Sequence, residues 1–352
     1  MTNSIGISVY KSVDKSMSNS VNKPMIFINR HTWGRFSEEE MTQYQESVFR
    51  YYRERGFPYY STDPTDRHRE YLRLLQYDFR SVLCPVTKVL RQTMHGLNLA
   101  WSFQPHAFGV LCNQNRTPLE AFEDDETLRS VIRKRIRHGD NMSDSGLRKT
   151  LKIFTGVQAV SNFRPTAAAA IYHQWCPRKG RVWDMSGGYG GRMLGAHLAQ
   201  VQYTCTEPCS DTFQGLCQMN ESLRLNSEIV QVGSEEYRPE PRSLDFCFTS
   251  PPYFNTEQYS LESTQSWVKF PQPEDFREGF LRPTLANCYY GLKKGGFLAL
   301  NIANVRTYPQ LEVDMVSVAQ SLGFRWVDTY RLALSSINKQ GFKYEPLFLL
   351  QK

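Results

Sequence analysis

The chain has 352 residues, 40% hydrophobic and 22% charged, with a formal net charge of +7. That length can hold two domains, each with its own core. It contains no apolar run of membrane-spanning length, and the polar segment from Met1 to Lys23 has no stretch of signal-peptide type, so neither a membrane partner nor secretion is expected.

In chain order, residues 1–25 read as a disordered tail rich in Ser, Asn and Lys. Residues 26–155 read as a mostly helical auxiliary domain. Helical patterns cover Phe36–Arg55, Arg67–Leu90, Asp125–His138 and Ser143–Phe154, the last capped by Ser143. Trp101–Pro105 and Phe108–Cys112 read as irregular or strand-like. Residues 1–150 carry 22 Lys and Arg against 17 Asp and Glu, most of the chain's positive excess. Arg129, Arg133 and Arg137 recur at i, i+4, i+8, with Leu128, Ile132 and Ile136 as an apolar stripe. Such a helix can bury one face and show the other to phosphates, with Lys134 and Arg135 adding charge; a solvated surface helix fits the same row.

From residue 156 strands and helices alternate, which predicts a mainly parallel sheet covered on both faces. Strands are expected at 181–185, 202–206, 228–232, 244–249, 297–303, 324–333 and 343–350, and helices at 191–200, 210–225, 276–293 and 309–322. The last two strands are joined by Asn338-Lys-Gln-Gly341 and should form an antiparallel hairpin. After the first strand comes Asp184-Met-Ser-Gly-Gly-Tyr-Gly-Gly191, a turn whose glycines admit close approach of a ligand. Glu207, at the tip of the second strand, is placed to accept hydrogen bonds from ribose hydroxyls. The third spaced glycine of a dinucleotide fingerprint is missing, and Asp184 would repel a pyrophosphate. Both features favour a cationic cofactor, S-adenosylmethionine, over NAD.

The fourth strand stops at Ser250-Pro251-Pro252-Tyr253-Phe254. Neither proline has a backbone N–H, so the carbonyls of Ser250 and Pro251 stay free to accept hydrogen bonds. An aromatic ring follows at a set distance. Acceptors for an NH₂ group beside a stacking ring suit a nucleobase, although a plain strand-end turn with a core tyrosine has the same composition.

Residues 160–352 resemble the S-adenosylmethionine-dependent DNA methyltransferases that modify exocyclic amino groups, at cytosine N4 or adenine N6. The loop at Asp184–Gly191 is similar to the family's Asp-Pro-Phe-x-Gly-x-Gly, with Met185 for the proline and Ser186 for the phenylalanine. Glu207 matches the ribose-binding acid, and Ser250–Tyr253 matches the catalytic tetrapeptide. Ser161–Thr166, with Phe163 and Pro165, resembles the segment covering the methionine end of the cofactor. The resemblance implies a class I methyltransferase (Rossmann-like) α/β fold: a mainly parallel seven-stranded sheet with a terminal antiparallel hairpin, over residues 156–352. It implies Asp184, Ser186, Gly188 and Gly190 against the methionine moiety, and Ser234 against the adenine, where the family commonly has an acid. Ser250 and Pro251 would hold the amine while Tyr253, assisted by Phe254, stacks on a base flipped out of double-stranded DNA. Arg129, Arg133 and Arg137 then become candidate DNA contacts, and Arg164 faces either the cofactor carboxylate or a surface partner.

A first-position serine leans towards cytosine N4, with adenine N6 close behind. Eight cysteines at scattered positions fit reduced thiols in a cytoplasm, and Cys205 and Cys209 lack a matching second pair, so no metal is expected. The resemblance implies a place in restriction-modification, though no cognate endonuclease is visible here. Three alternatives stay open: an RNA or protein-glutamine amino-methyltransferase, a non-catalytic DNA-binding chain with a relic cofactor fold, and another nucleoside-cofactor enzyme such as a dehydrogenase.

Overall fold

A computed structural model describes residues 28–334 and 343–352. The expected tail at 1–25 and the turn Asn338–Gly341 lie outside the described residues. Contacts divide the chain into two units: the residues up to Pro58 with Asp125–Thr150, and Tyr59–Asp124 with Leu151–Lys352. The single boundary expected at 155/156 is therefore redrawn, because 59–124 joins the C-terminal part.

In the first unit, helix Glu38–Arg55 starts at a reciprocal cap. Ser37 Oγ accepts from the Glu40 amide at 3.2 Å, and the Glu40 carboxylate accepts from the Ser37 amide at 2.8 Å. It contacts helix Asp125–Arg137, and both bury apolar side chains: Val48 and Tyr52 from one, Leu128, Val131 and Ile132 from the other. The arginine row does not form one free face. Arg129 pairs with Glu46 and lies 3.6 Å from the Phe49 ring centroid. Arg135 is buried, donating to the carbonyls of Gly146 (2.8 Å) and Asn141 (2.6 Å) and to Thr150 Oγ1 (3.2 Å). Arg135 is closed off from any phosphate, whereas Arg129 stays partly exposed within its surface ion pair. Arg133 and Arg137 remain on the outer side.

The second unit is built on strands Leu83–Cys84 (β1), Val89–Leu90 (β2), Leu111–Cys112 (β3), Arg181–Asp184 (β4), Gln202–Thr206 (β5), Glu228–Val230 (β6), Leu244–Thr249 (β7), Glu257–Gln258 (β8), Leu292–Asn301 (β9), Arg325–Ala333 (β10) and Tyr344–Gln351 (β11). Nine of them form one sheet in the order β1-β2-β10-β11-β9-β7-β4-β5-β6, and β3 pairs with β8. Strands β4, β5, β6, β7 and β9 run parallel, and β11 is antiparallel to both β9 and β10. Setting aside β1 and β2, this is the class I methyltransferase strand order with its terminal antiparallel hairpin.

The helix expected over Arg67–Leu90 ends at Leu75. Its last part is instead the β1–β2 hairpin, and Arg331 and Leu332 of β10 pair with Val89 and Leu90. Pro85, between the two short strands, cannot donate to a helix, while the free edge of β10 offers partners. On one face of the sheet the alanine-rich helix Pro165–Trp175, wholly buried from Pro165 to Tyr172, lies against helix Gly191–Ala199. A Cβ at Gly195 would meet Ala168 Cβ at 2.6 Å, so small residues set that spacing.

Strand β4 has β5 on one side and β7 on the other. The connections leaving their carboxyl ends therefore diverge and open a crevice at this switch point. The same topology brings the loop after Asp184 and the turn after Thr249, sixty-odd residues apart, to one edge.

Candidate active site

A cavity of about 450 Å³ lies at that edge, within the range of small-molecule sites. Its walls come from the loop 185–189, the ends of β5 and β6, the turn 250–253, the segment 256–266 and residues 158–164. Of the predicted residues, Phe163, Ser186, Gly188, Glu207, Ser234, Ser250, Pro251, Pro252 and Tyr253 line it together. Asp184, Gly190, Pro165 and Phe254 do not.

Gly190 stands behind the loop at φ +83°, a left-handed turn into the helix that begins at Gly191. Any side chain at Gly191 would put its Cβ 1.8 Å from the Phe163 carbonyl oxygen. Asn162 ties the two segments: its Nδ2 donates to the Tyr189 carbonyl at 3.1 Å and its Oδ1 accepts from the Gly191 amide at 3.2 Å. Pro165 opens the alanine-rich helix behind this joint.

Asp184 takes another role than the expected one. Its carboxylate is fully buried and accepts from Arg192 Nε at 2.7 Å, Tyr203 Oη at 2.6 Å and the Ser186 amide at 3.2 Å. The Arg192 guanidinium also donates to the Ser186 carbonyl. Burial alone would lower the Arg192 pKa, but Asp184 holds it raised. Asp184 thus anchors the loop from beneath, through Arg192, and does not line the cavity.

Glu207 does face the cavity. Its oxygens accept from the amides of Gly188 (2.9 Å) and Cys209 (3.0 Å), which aims the carboxyl between the loop and β5. Burial pushes it up to about 7, against the pull of those two amides. Ser234 is buried with its hydroxyl 2.9 Å from Thr284 Oγ1, which leaves it less free for an adenine than expected.

The Ser250–Tyr253 turn leaves β7 directly, and Tyr253 packs beside the second core cluster. Its hydroxyl lies 3.5 Å from the Asn301 carbonyl and from Glu345 Oε2, and burial raises its pKa far above the usual phenol range. Phe254 is a correction. It is 3% exposed, at φ +57°, with its ring 5.4 Å from Phe276 and 5.6 Å from Tyr308. The left-handed backbone turns it into the core, away from any base.

Arg164, which the sequence left between the cofactor carboxylate and a surface partner, lines the cavity, and several other lining residues escaped the sequence. Arg164, from the segment 158–164, donates to Gln92 Oε1 at 3.1 Å, has its pKa lowered by burial and pairs with no carboxylate among the described residues. Glu257 follows the tetrapeptide by four positions and accepts from Tyr259. Glu345 arrives from β11. Tyr189 Oη, Thr256 Oγ1 and Gln265 Nε2 are buried along the cavity without a hydrogen-bond partner. Among the described residues no group of three or more His, Cys, Asp or Glu is arranged for a metal ion, and no helix is long and apolar enough to cross a membrane.

No protein-family model and no curated protein matches the chain. Among solved structures it is similar to a TehB-like SAM-dependent methyltransferase from Corynebacterium glutamicum, at 14% identity over 55% of this chain and 89% of that one, with a TM-score of 0.38. It is similar to a SAM-dependent methyltransferase from Methanosarcina mazei, at 14% identity over 52% and 96%, with a TM-score of 0.39. A third is the 1,6-didemethyltoxoflavin-N1-methyltransferase of Burkholderia thailandensis, solved with its substrate and S-adenosylhomocysteine, at 14% identity over 53% and 76%, with a TM-score of 0.38. The class I methyltransferase fold of this chain stands on its strand order.

Proposed function

We propose that the protein transfers a methyl group from S-adenosylmethionine to an exocyclic amino group of a flipped DNA base, cytosine N4 ahead of adenine N6. One observation carries this: the glycine loop, Glu207 and the Ser250–Tyr253 turn line a single cavity. The residues present fit the cofactor. Arg164, without a carboxylate of its own, suits the amino-acid carboxylate, and Glu207 suits the ribose hydroxyls. The unpartnered polar atoms of Tyr189, Thr256 and Gln265 gain partners from a polar ligand. When bound, the cofactor supplies an electrophilic methyl group on a sulfonium.

The chain's own task is orientation. An aryl amine is a poor nucleophile because its lone pair is delocalised into the ring. Ser250 Oγ and the Pro251 carbonyl accept the two amine hydrogens, which turns the lone pair towards the methyl group, while Tyr253 stacks on the base. For the nucleic acid, the first unit offers exposed arginines: Arg133 and Arg137 line one shallow depression, and Arg30 and Arg35 line another.

The decisive experiment is to express the chain, digest host DNA and RNA to nucleosides, and measure methylated bases by mass spectrometry. N4-methylcytosine or N6-methyladenine in the DNA is expected. Label found only in RNA moves the substrate to RNA, and calorimetry that detects no S-adenosylmethionine binding ends the enzyme assignment.

Cofactor affinity should depend on pH through Glu207. Its folded pKa is near 7, above the ordinary carboxylate value, so the ionised form that accepts from hydroxyls is complete only above that pH. The dissociation constant is expected to rise about tenfold between pH 8 and pH 6, and Glu207→Gln should flatten the dependence. The fold responds with the opposite sign, since a raised acid loses stability as pH rises towards 7. Equal titration curves for wild type and variant would remove Glu207 from the site.

A further inference from the structure

Four carboxylates line the cavity: Glu207, Glu235, Glu257 and Glu345. Three are already engaged. Glu207 accepts two backbone amides, Glu235 pairs with Lys269, and Glu257 accepts from Tyr259 and Cys112. Glu345 is different. It reaches the cavity from β11, opposite Leu332 of β10, with Oε2 3.5 Å from the Tyr253 hydroxyl and the Asn301 side chain as its other polar neighbour. No lysine or arginine among the described residues forms an ion pair with it. Its free lone pairs therefore lie at the tetrapeptide end of the cavity, where a substrate amine would be held.

Methylation of a neutral amine creates a cation that must lose a proton. The nitrogen lone pair forms the N–CH₃ bond, the C–S bond breaks with its electrons going to sulfur, and the nitrogen is left with a positive charge and one hydrogen too many. Ser250 Oγ and the Pro251 carbonyl can hold that hydrogen but are poor places to leave it. We propose that Glu345 accepts this proton and so acts as the base of the methyl-transfer site. The role rests on the amino-methyltransferase function above. A half-buried carboxylate that forms no ion pair also stabilises positive charge as it grows on the amine. Burial raises the Glu345 pKa, which brings its titration towards neutral pH. The charged and titratable groups around it are Tyr253, Glu257, Glu312 and Lys343.

The test compares wild type with Glu345→Gln in methyl transfer to DNA across pH 5–9 at saturating S-adenosylmethionine, so that the Glu207 titration does not enter the profile, with cofactor affinity and thermal stability measured alongside. Gln keeps the shape and a hydrogen-bonding partner for Tyr253 and Asn301. The variant is expected to lose about tenfold in rate at pH 8, below the usual benefit of a general base because the N-methylated cation is itself acidic. It should also lose the acid limb of the wild-type profile, at unchanged cofactor affinity. A variant that retains this limb overturns the proposal, and so does one whose rate matches wild type. If wild-type protein transfers no methyl group to nucleic acid, the function itself falls and this role falls with it; an active wild type beside an intact acid limb removes only Glu345.

Discussion

Asp184→Ala is expected to destabilise the second unit by about 3–5 kcal/mol, the usual result of removing one partner from a buried ion pair. Asp184 is wholly enclosed and Arg192 nearly so, so the guanidinium would be left in the interior with only the Ser186 carbonyl to accept from it. Tyr203 would lose the acceptor of its hydroxyl as well. At about 2–4 °C per kcal/mol for a domain of this size, the melting temperature should drop by roughly 10 °C. Calorimetry of Asp184→Ala, Arg192→Met and the double variant separates the terms. The double variant should recover much of the loss, because two apolar groups leave no unpaired charge. A single variant as stable as wild type would mean that this pair does not hold the loop.

Tyr253→Ala should lower methyl transfer at least about 10²-fold while leaving cofactor affinity within a few-fold. Stacking of one base on an aromatic ring contributes about 1–3 kcal/mol, and a base that is not held flat presents its amine off the line of attack. In the proposed arrangement Glu207 and Arg164 hold the cofactor, and neither hydrogen-bonds Tyr253, which is why binding should survive. Tyr253 also borders the second core cluster, so thermal stability belongs in the same experiment. Tyr253→Phe keeps the stacking face and should retain most of the activity. Parallel loss of rate and cofactor affinity in Tyr253→Ala would make the side chain a structural one.

Much of the frame was legible in the chain because it depends on local rules. Apolar runs of strand length between helical patterns announced the sheet, and glycines after β4 announced a tight turn. Two prolines announced the end of β7. Ligands bind at the carboxyl ends of the strands in sheets of this kind, so the edge that holds the cavity was legible too, while the strand order was not.

The orientations of individual side chains were not. Asp184 ends a strand beside a glycine loop in sequence, yet the chain folds Arg192 and Tyr203 onto it and closes it off. Phe254 follows a catalytic-type turn, but one residue of left-handed backbone sends its ring to Phe276 and Tyr308. Arg129, Arg133 and Arg137 share one helical row and differ in what packs beside them, while Arg135 falls on the apolar side with Leu128 and Ile132 and is buried there. Residues 83–90 were read as helix because their partner, β10, lies some 240 positions away.

The sequence by itself determined the alternation of strand and helix, the glycine turn, and a proline-braced tetrapeptide followed by an aromatic ring, since these express backbone sterics and periodicity within a few residues. Only the tertiary structure decided that Asp184 serves as an anchor, that Arg164 and Glu345 face the same cavity as Tyr253, and that the β1–β2 hairpin extends the sheet. These follow from pairings between distant segments, where the burial of a charge and the choice of its neighbour are settled together.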